Sequence, residues 1–175
     1  MKVTVYLAGQ MGPRPKDWPH PQNPTTLWRN EFKETLTYEF RDQLPWQRTI
    51  TVLDPTEGEA WDEDVTVKEA IKSAHNNWKG SLILSKDREM VKQSNVIVAN
   101  LNHYLPEKII LGTIYELAWA YDDPSKTVIV IADPELAGAP ALHPFVRGTA
   151  HYIVPDVYKA AEMVAWLGGN QAGQR

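Results

Sequence analysis

The stretch that decides the fold runs Asn95-Val-Ile-Val-Ala-Asn-Leu-Asn102 and then, after a short loop, Leu111-Gly-Thr-Ile-Tyr-Glu-Leu-Ala-Trp-Ala-Tyr121. Its first part is β-branched and apolar without alternation, the pattern of a strand buried on both faces. Its second part carries Ile114, Leu117, Ala120 and Tyr121 at helical spacing. Gly112 marks the turn into that helix. Glu116 is therefore expected in the first helical turn, at the carboxyl end of a central strand, where open α/β sheets bind ligands. Two readings of Glu116 stand side by side. Thr113-Ile-Tyr-Glu116 has the spacing of a capping box, in which the carboxylate closes backbone N–H groups. A lone carboxylate in an apolar helix, facing a ligand crevice and near the positive end of the helix dipole, suits chemistry instead.

Upstream, Lys2 to Ala8 reads as a first strand ending in Gly9-Gln10-Met11-Gly12. Glycine after a first strand permits close approach of backbone to a ligand, but the full dinucleotide and P-loop patterns are missing. Tyr6 lies near that strand's carboxyl end, where core packing is the ordinary role of a tyrosine. Pro13 to Pro24 is too rich in proline for regular structure and reads as a binding loop or lid, with Arg14, Trp18 and His20 in it. Thr25 to Leu44 reads as a helix capped by Thr25 or Thr26, with Leu27, Phe32, Leu36 and Phe40 as its buried stripe. Arg48 to Leu53 is a second strand ending at Asp54-Pro55, followed by an acidic loop from Glu57 to Asp64.

Val65 to Ala74 has helical character, His75 to Gly80 is a polar break, and a helix begins at Ser81 and runs to Ser94. Leu84, Met90 and Val91 are its apolar side. Asp87 lies within it, either as an exposed helix carboxylate or as a group aimed at the crevice. Val128 to Ala132 is a further apolar strand, Leu142 to Gly148 holds His143-Pro-Phe145-Val-Arg147, His151 to Val154 is the last strand, and Asp156 to Leu167 the last helix. Residues 168–175 read as a flexible tail on a single domain of residues 1–167.

Apolar strands alternating with amphipathic helices call for a parallel sheet covered on both faces. The expected architecture is a flavodoxin-like five-stranded sheet of order 2-1-3-4-5, with its switch point between strands 1 and 3. That topology makes Tyr6, Gly9, Asp87 and Glu116 neighbours.

Composition excludes several classes. The chain of 175 residues is 43% hydrophobic and 23% charged, with a formal net charge of −4 and no basic block, which argues against general nucleic-acid binding. The absence of cysteine removes disulfide and thiolate–metal frameworks. The acidic loop lacks the ordered ligand spacing of a metal site. Residues 1–9 are too short for a secretory h-region or a membrane span, so a cytoplasmic protein without membrane association is expected.

Three fragments in order carry a family resemblance: Tyr6-Leu-Ala-Gly9; Asp87 with Met90-Val-Lys-Gln-Ser-Asn-Val-Ile-Val-Ala-Asn-Leu101; and Gly112-Thr-Ile-Tyr-Glu116-Leu-Ala118. Together, over Lys2 to about Val154, they resemble the nucleoside 2-deoxyribosyltransferase family. The resemblance implies the same fold, a homo-oligomer, and exchange of nucleobases on 2′-deoxyribonucleosides by double displacement with retention. It implies Glu116 as nucleophile, forming a glycosyl ester as retaining glycosidases do. It implies Asp87 as the group that contacts the base and handles its proton, a task suited to a carboxyl of raised pKa. Tyr6 would orient the nucleophile, and Gly9, Gln10 and Gly112 would line the substrate site. Nucleosides and free nucleobases are the implied partners, and the chemistry requires no metal or organic cofactor.

The chain departs from the family pattern at two places. Ile110 stands six residues before Glu116, where many members place a polar residue for the sugar 5′-hydroxyl. His143-Pro-Phe145 stands where members often show Asn-Pro-Met reaching into a neighbouring subunit's site, so His143 and Phe145 are candidate substrate contacts. Trp18, Trp61 and Trp78 are candidates to stack on a base, and the sequence singles out none of them. A nucleoside or nucleoside 5′-monophosphate N-glycosidase is the rival reading, with Arg14, Lys16 or Arg147 available to a phosphate. A non-catalytic nucleotide-binding module is the third.

Overall fold

The computed structural model describes residues 3–11, 23–38, 50–57, 78–102, 110–134 and 143–170. Five parallel strands form one sheet: β1 (Val3–Gly9), β2 (Ile50–Leu53), β3 (Val96–Asn100), β4 (Thr127–Ile131) and β5 (Tyr152–Val154), in the spatial order β2-β1-β3-β4-β5. This is the expected flavodoxin-like arrangement. The helices described are α1 (Pro24–Tyr38), α2 (Trp78–Gln93), α3 (Leu111–Tyr121), α4 (Pro144–Thr149) and α5 (Val157–Asn170). None of them is long and apolar enough to cross a membrane.

The sheet is buried on both sides because alternate residues of each strand feed opposite cores. Val5, Leu7, Val98 and Ile129 face α1 and α5, where Trp28, Phe32, Ala161 and Val164 meet them. Tyr6, Ala8, Ile97 and Val130 face the other way, against Val91 of α2, Leu117 and Ala120 of α3 and Val146 of α4. Burying a side chain the size of Leu or Phe stabilises by about 1.5–3 kcal/mol, so these two layers hold the strand ends in fixed relation.

The amino edge of the sheet is tied shut by polar contacts. Asn95 Oδ1 accepts from Thr4 N at 2.9 Å, and the buried Lys126 Nζ donates to Ser94 O at 2.7 Å and Lys92 O at 3.1 Å. The carboxyl edge carries the residues with chemistry.

Several local expectations need correction. Asn23, rather than Thr25 or Thr26, begins α1: its Oδ1 accepts from Thr25 N at 3.1 Å and its carbonyl from Leu27 N at 2.8 Å. The buried stripe of α1 is Trp28, Arg29, Phe32 and Leu36, with Leu27 only half-buried. Helix α2 starts at Trp78, inside the expected polar break, and Leu84 on it is exposed whereas Val91 and Asp87 are buried. The i, i+4 pair Asp87 and Val91 therefore defines its inner face.

The segment around His143 is a short helix that hydrophobic periodicity does not reveal. Pro144 at its first position and His143 as its cap, with Nδ1 accepting from Phe145 N at 3.3 Å, are its local causes. Helix α5 runs on through residues 168–170, where a tail was expected, because the buried face through Ala161, Val164 and Ala165 outweighs the helix cost of two glycines, about 1 kcal/mol each. The loop from Pro13, the acidic loop from residue 58, the helical character at Val65 to Ala74, the continuation of α1 to Leu44 and residues 171–175 lie outside the described residues.

Candidate active site

Helix α3 begins at Leu111 with Ile110 as its N-cap, and no side chain caps it. The capping box is therefore not formed. Thr113 is already inside the helix and buried, and Glu116 falls in the second turn, beyond the reach of the strongest dipole effect. The carboxylate is instead turned inward, 5% exposed, on the face shared with Thr113, Leu117 and Ala120.

There it meets β1. Tyr6, fully buried in the middle of the sheet, donates its hydroxyl to Glu116 Oε1 at 2.5 Å. Alternation along β1 fixes this partner: Tyr6 and Ala8 face the α3 side, and Val5 and Leu7 the α1 side. Asp87, 7% exposed on the inner face of α2, is near enough for its charge to act on both Tyr6 and Glu116. Three residues far apart in sequence, on β1, α2 and α3, thus share one buried locus.

Burial pushes the Glu116 carboxyl up to about 8 from an ordinary 4.5. The Tyr6 hydrogen bond opposes that push, the Asp87 charge adds to it, and the Arg29 charge opposes it. Burial and then the Glu116 charge hold the Tyr6 phenol far above its ordinary range, so Tyr6 stays a donor. In the free protein at neutral pH Glu116 is mostly protonated and becomes a carboxylate as pH rises through about 8. Replacing Tyr6 by Phe removes the hydrogen bond that favours the ionised form. The Glu116 titration, followed by NMR of labelled glutamate, is expected to move to higher pH in this variant; an unmoved midpoint would show that the bond does not stabilise the carboxylate.

Gly9 closes β1 opposite Asn100 of β3. A Cβ on Gly9 would lie 2.8 Å from Trp28 Cζ2 and 3.4 Å from the Asn100 carbonyl oxygen, so the packing of α1 against the strand end itself requires glycine there. Gln10 follows, 4% exposed. Gly112 is in the first turn of α3, and a Cβ there would meet open space. Ile110 is buried in the apolar cluster, so this position offers the site no polar side chain.

His143 and Phe145 stand elsewhere. Both are exposed on α4, their rings 5.2 Å apart, and neither has a described hydrogen bond or ring contact with Tyr6, Asp87 or Glu116. Phe145 borders a cavity of about 450 Å³ between α3 and α4, whose lining includes Ile114, Leu117, Tyr121, Pro144 and Thr149. That cavity is on the other flank of α3: at 3.6 residues per turn Ile114 is about 200° and Tyr121 about 140° round the helix from Glu116. It is separate from the Tyr6–Glu116 locus. Trp18, Trp61, Arg14, Lys16 and His20 lie outside the described residues, Trp78 begins α2, and Arg147 is exposed on α4.

Sequence reading missed Arg29, Asp54, Asn100 and Asn102, all buried at the carboxyl edge. Arg29 was detectable: it sits three residues before Phe32 and seven before Leu36, a charge on the apolar stripe of α1. Asn100 and Asn102 interrupt an otherwise apolar strand end. They form a ladder in which Asn100 Oδ1 accepts from Asn102 N at 3.0 Å and Asn102 Oδ1 from Asp133 N at 2.9 Å.

Comparison with known proteins leaves the family open. No family model matches the chain, and no curated protein matches its sequence. Among solved structures, a 2-desoxiribosyltransferase from Leishmania mexicana is similar over 74% of this chain at 19% identity and a TM-score of 0.40, and the match spans 63% of that enzyme's length. A flavodoxin-like domain from Synechococcus sp aligns over 99% of both chains at 10% identity and a TM-score of 0.47. An FMN-dependent NADH-azoreductase from Bacillus anthracis aligns over 98% of this chain and 99% of its own at 14% identity and a TM-score of 0.44. The flavodoxin-like arrangement of this chain stands on its own strand order.

Proposed function

We propose that the protein is a nucleoside 2′-deoxyribosyltransferase in which Glu116 is the nucleophile, Asp87 the proton carrier and Tyr6 the group that orients Glu116. The observation that carries this reading is the buried 2.5 Å hydrogen bond from the Tyr6 hydroxyl to Glu116 Oε1, with the charge of the buried Asp87 acting on both groups. A structural carboxylate has no need of such a setting. Burial without a cationic hydrogen-bond partner is costly, and it is tolerated where a perturbed acid has work to do.

The reaction balances within this set. Glu116 Oε2, the oxygen not held by Tyr6, attacks the anomeric carbon. The bond from that carbon to the base nitrogen breaks, its electron pair goes to the base, and Asp87 supplies the proton the base needs. A glycosyl ester on Glu116 results. A second nucleobase then attacks from the face the first one left, the ester bond breaks, the pair returns to Glu116, and the incoming base gives its proton to Asp87. Two inversions give net retention. Attack needs Glu116 ionised and Asp87 protonated, so the pair must hold one proton, and kcat/KM is expected to fall as pH rises past about 8 and that proton is lost.

Incubation with deoxyinosine and free adenine tests the reading. Formation of deoxyadenosine supports transfer. Hypoxanthine release with no deoxyadenosine assigns the site to hydrolysis, and no turnover of any nucleoside returns it to a binding module.

Phe145 is 82% exposed on α4 beside His143, which supports a homo-oligomer in which these two residues complete a neighbour's site. Mixing Glu116→Gln protomers with His143→Ala protomers would then restore part of the activity that each lacks. Mixtures no more active than their components would remove the shared site.

A further inference from the structure

Arg29 is fully buried, and nothing in the chemistry above uses it. We infer that Arg29 is a positioning residue of this site: its guanidinium clamps the backbone that follows β1 to the end of β2 and thereby sets the wall that faces the sugar opposite Glu116. The inference rests on the glycosyl-transfer reading for what that wall contacts.

The geometry is a fork. Nη2 donates to the Gly9 carbonyl at 3.0 Å, Nη1 donates to the Gln10 carbonyl at 3.3 Å and also to the Thr25 carbonyl, and Nε lies 3.5 Å from Asp54 Oδ1. Asp54 is itself fixed, accepting from Thr56 N at 3.0 Å, Thr56 Oγ1 at 2.6 Å and Lys33 Nζ at 2.9 Å. Above the fork, the guanidinium carbon is 4.6 Å from the centre of the Trp28 ring. Trp28 is the same indole that leaves no room for a side chain on Gly9. One cation therefore joins α1, the carboxyl end of β1 and the carboxyl end of β2.

Stability is a poor explanation for it. Replacing a buried ion pair by apolar side chains of similar volume is often neutral or stabilising, and Arg29 sits on a stripe with Trp28, Phe32 and Leu36 where an apolar residue would pack. What an apolar residue cannot do is hold the carbonyls of two consecutive residues. Lysine keeps the charge but lacks the planar fork whose two Nη atoms are spaced to meet the Gly9 and Gln10 carbonyls separately. The charge has a second effect. The groups acting on Glu116 are Tyr6 from β1, Asp87 from α2 and Arg29 from α1, and Arg29 opposes the effect of Asp87 on the carboxylate.

The test uses the full chain with Arg29→Lys and Arg29→Met. In protein labelled with ¹³C-glutamate, and with Glu116→Gln for assignment, Arg29→Met is expected to raise the Glu116 midpoint by about half a pH unit or more. Arg29→Lys, which keeps the charge and loses the fork, is expected to leave the midpoint near the wild-type value while raising KM for deoxyinosine about tenfold, with a smaller loss in kcat. Should Arg29→Met fail to fold, Asp54→Asn stands in for it, because it releases one side of the fork; KM is expected to rise in the same direction. Variants that keep the wild-type midpoint and KM and lose only thermal stability would overturn the inference. Absence of turnover in the wild type would sink the transferase reading; binding of deoxyinosine by calorimetry would then decide this one, about tenfold weaker in Arg29→Lys if the fork sets the wall and unchanged if it does not.

Discussion

Replacing Glu116 by Gln is expected to give a folded protein that is more stable than the wild type and has lost turnover by at least about 10³-fold, the scale of removing a covalent nucleophile. Both halves come from the same burial. Gln keeps the volume and an oxygen to accept from Tyr6, so the packing of α3 on β1 survives. It cannot form the glycosyl ester, so the reaction has no first step. The stability half has a definite sign. The Glu116 carboxyl ionises at about 8 in the folded chain against an ordinary 4.5, so the unfolded chain gives up its proton first. The contribution of the protonated group is fully present below pH 4.5 and is lost as pH rises to about 8. The advantage of Glu116→Gln in thermal unfolding should therefore be small at pH 4.5, grow across that interval and level off above it. A variant less stable than wild type at pH 8, or one that still turns over, would contradict the account. Stability surrendered to keep a charged group in a dry site is a common cost of catalysis.

The second large effect is at Asp87. Asp87→Asn is expected to slow base release by about 10²–10⁴-fold, the range of general acid–base catalysis, and to do so unequally among substrates. A base that leaves readily without protonation loses little, and one that needs the proton loses most. The same substitution takes away a charge that pushes Glu116 upward, so the Glu116 midpoint, followed by NMR of labelled glutamate, should move to lower pH. Tyr6→Phe should move it the other way, since the lost hydrogen bond favoured the carboxylate. Opposite displacements from two neighbours of one carboxyl are hard to obtain from general damage to the fold. Equal losses for every leaving base, with the Glu116 midpoint unmoved, would make Asp87 a structural carboxylate.

The strands were legible because a doubly covered parallel sheet writes itself as short unbroken apolar runs. Val96 to Asn100 and Thr127 to Ile131 are such runs, and the order of the sheet followed from their alternation with helices. Tyr6 and Glu116 were legible as a pair of polar groups at the switch point, and the structure brings them into contact. What misled was local chemistry that tertiary packing overrode. Gly112 and Thr113 looked like a helix entrance, yet Ile110 and Leu111 start α3 without any side-chain cap, because Ile110 is anchored in the apolar cluster. Helix α4 is six residues long, too short for a periodicity to register, and only Pro144 behind His143 signalled it. Leu84 faces outward while Asp87 faces in, a reversal that no hydrophobicity scale predicts for α2. Arg29 is the same case on α1.

The most direct test of the account is intact-mass analysis after rapid acid quenching of the wild-type protein with deoxyinosine, followed by peptide mapping. The account predicts one deoxyribosyl group on the peptide that contains Glu116, its loss on addition of adenine, and no such adduct in Glu116→Gln. A sugar mapped to any other residue, or nucleobase exchange that persists in Glu116→Gln, would contradict it.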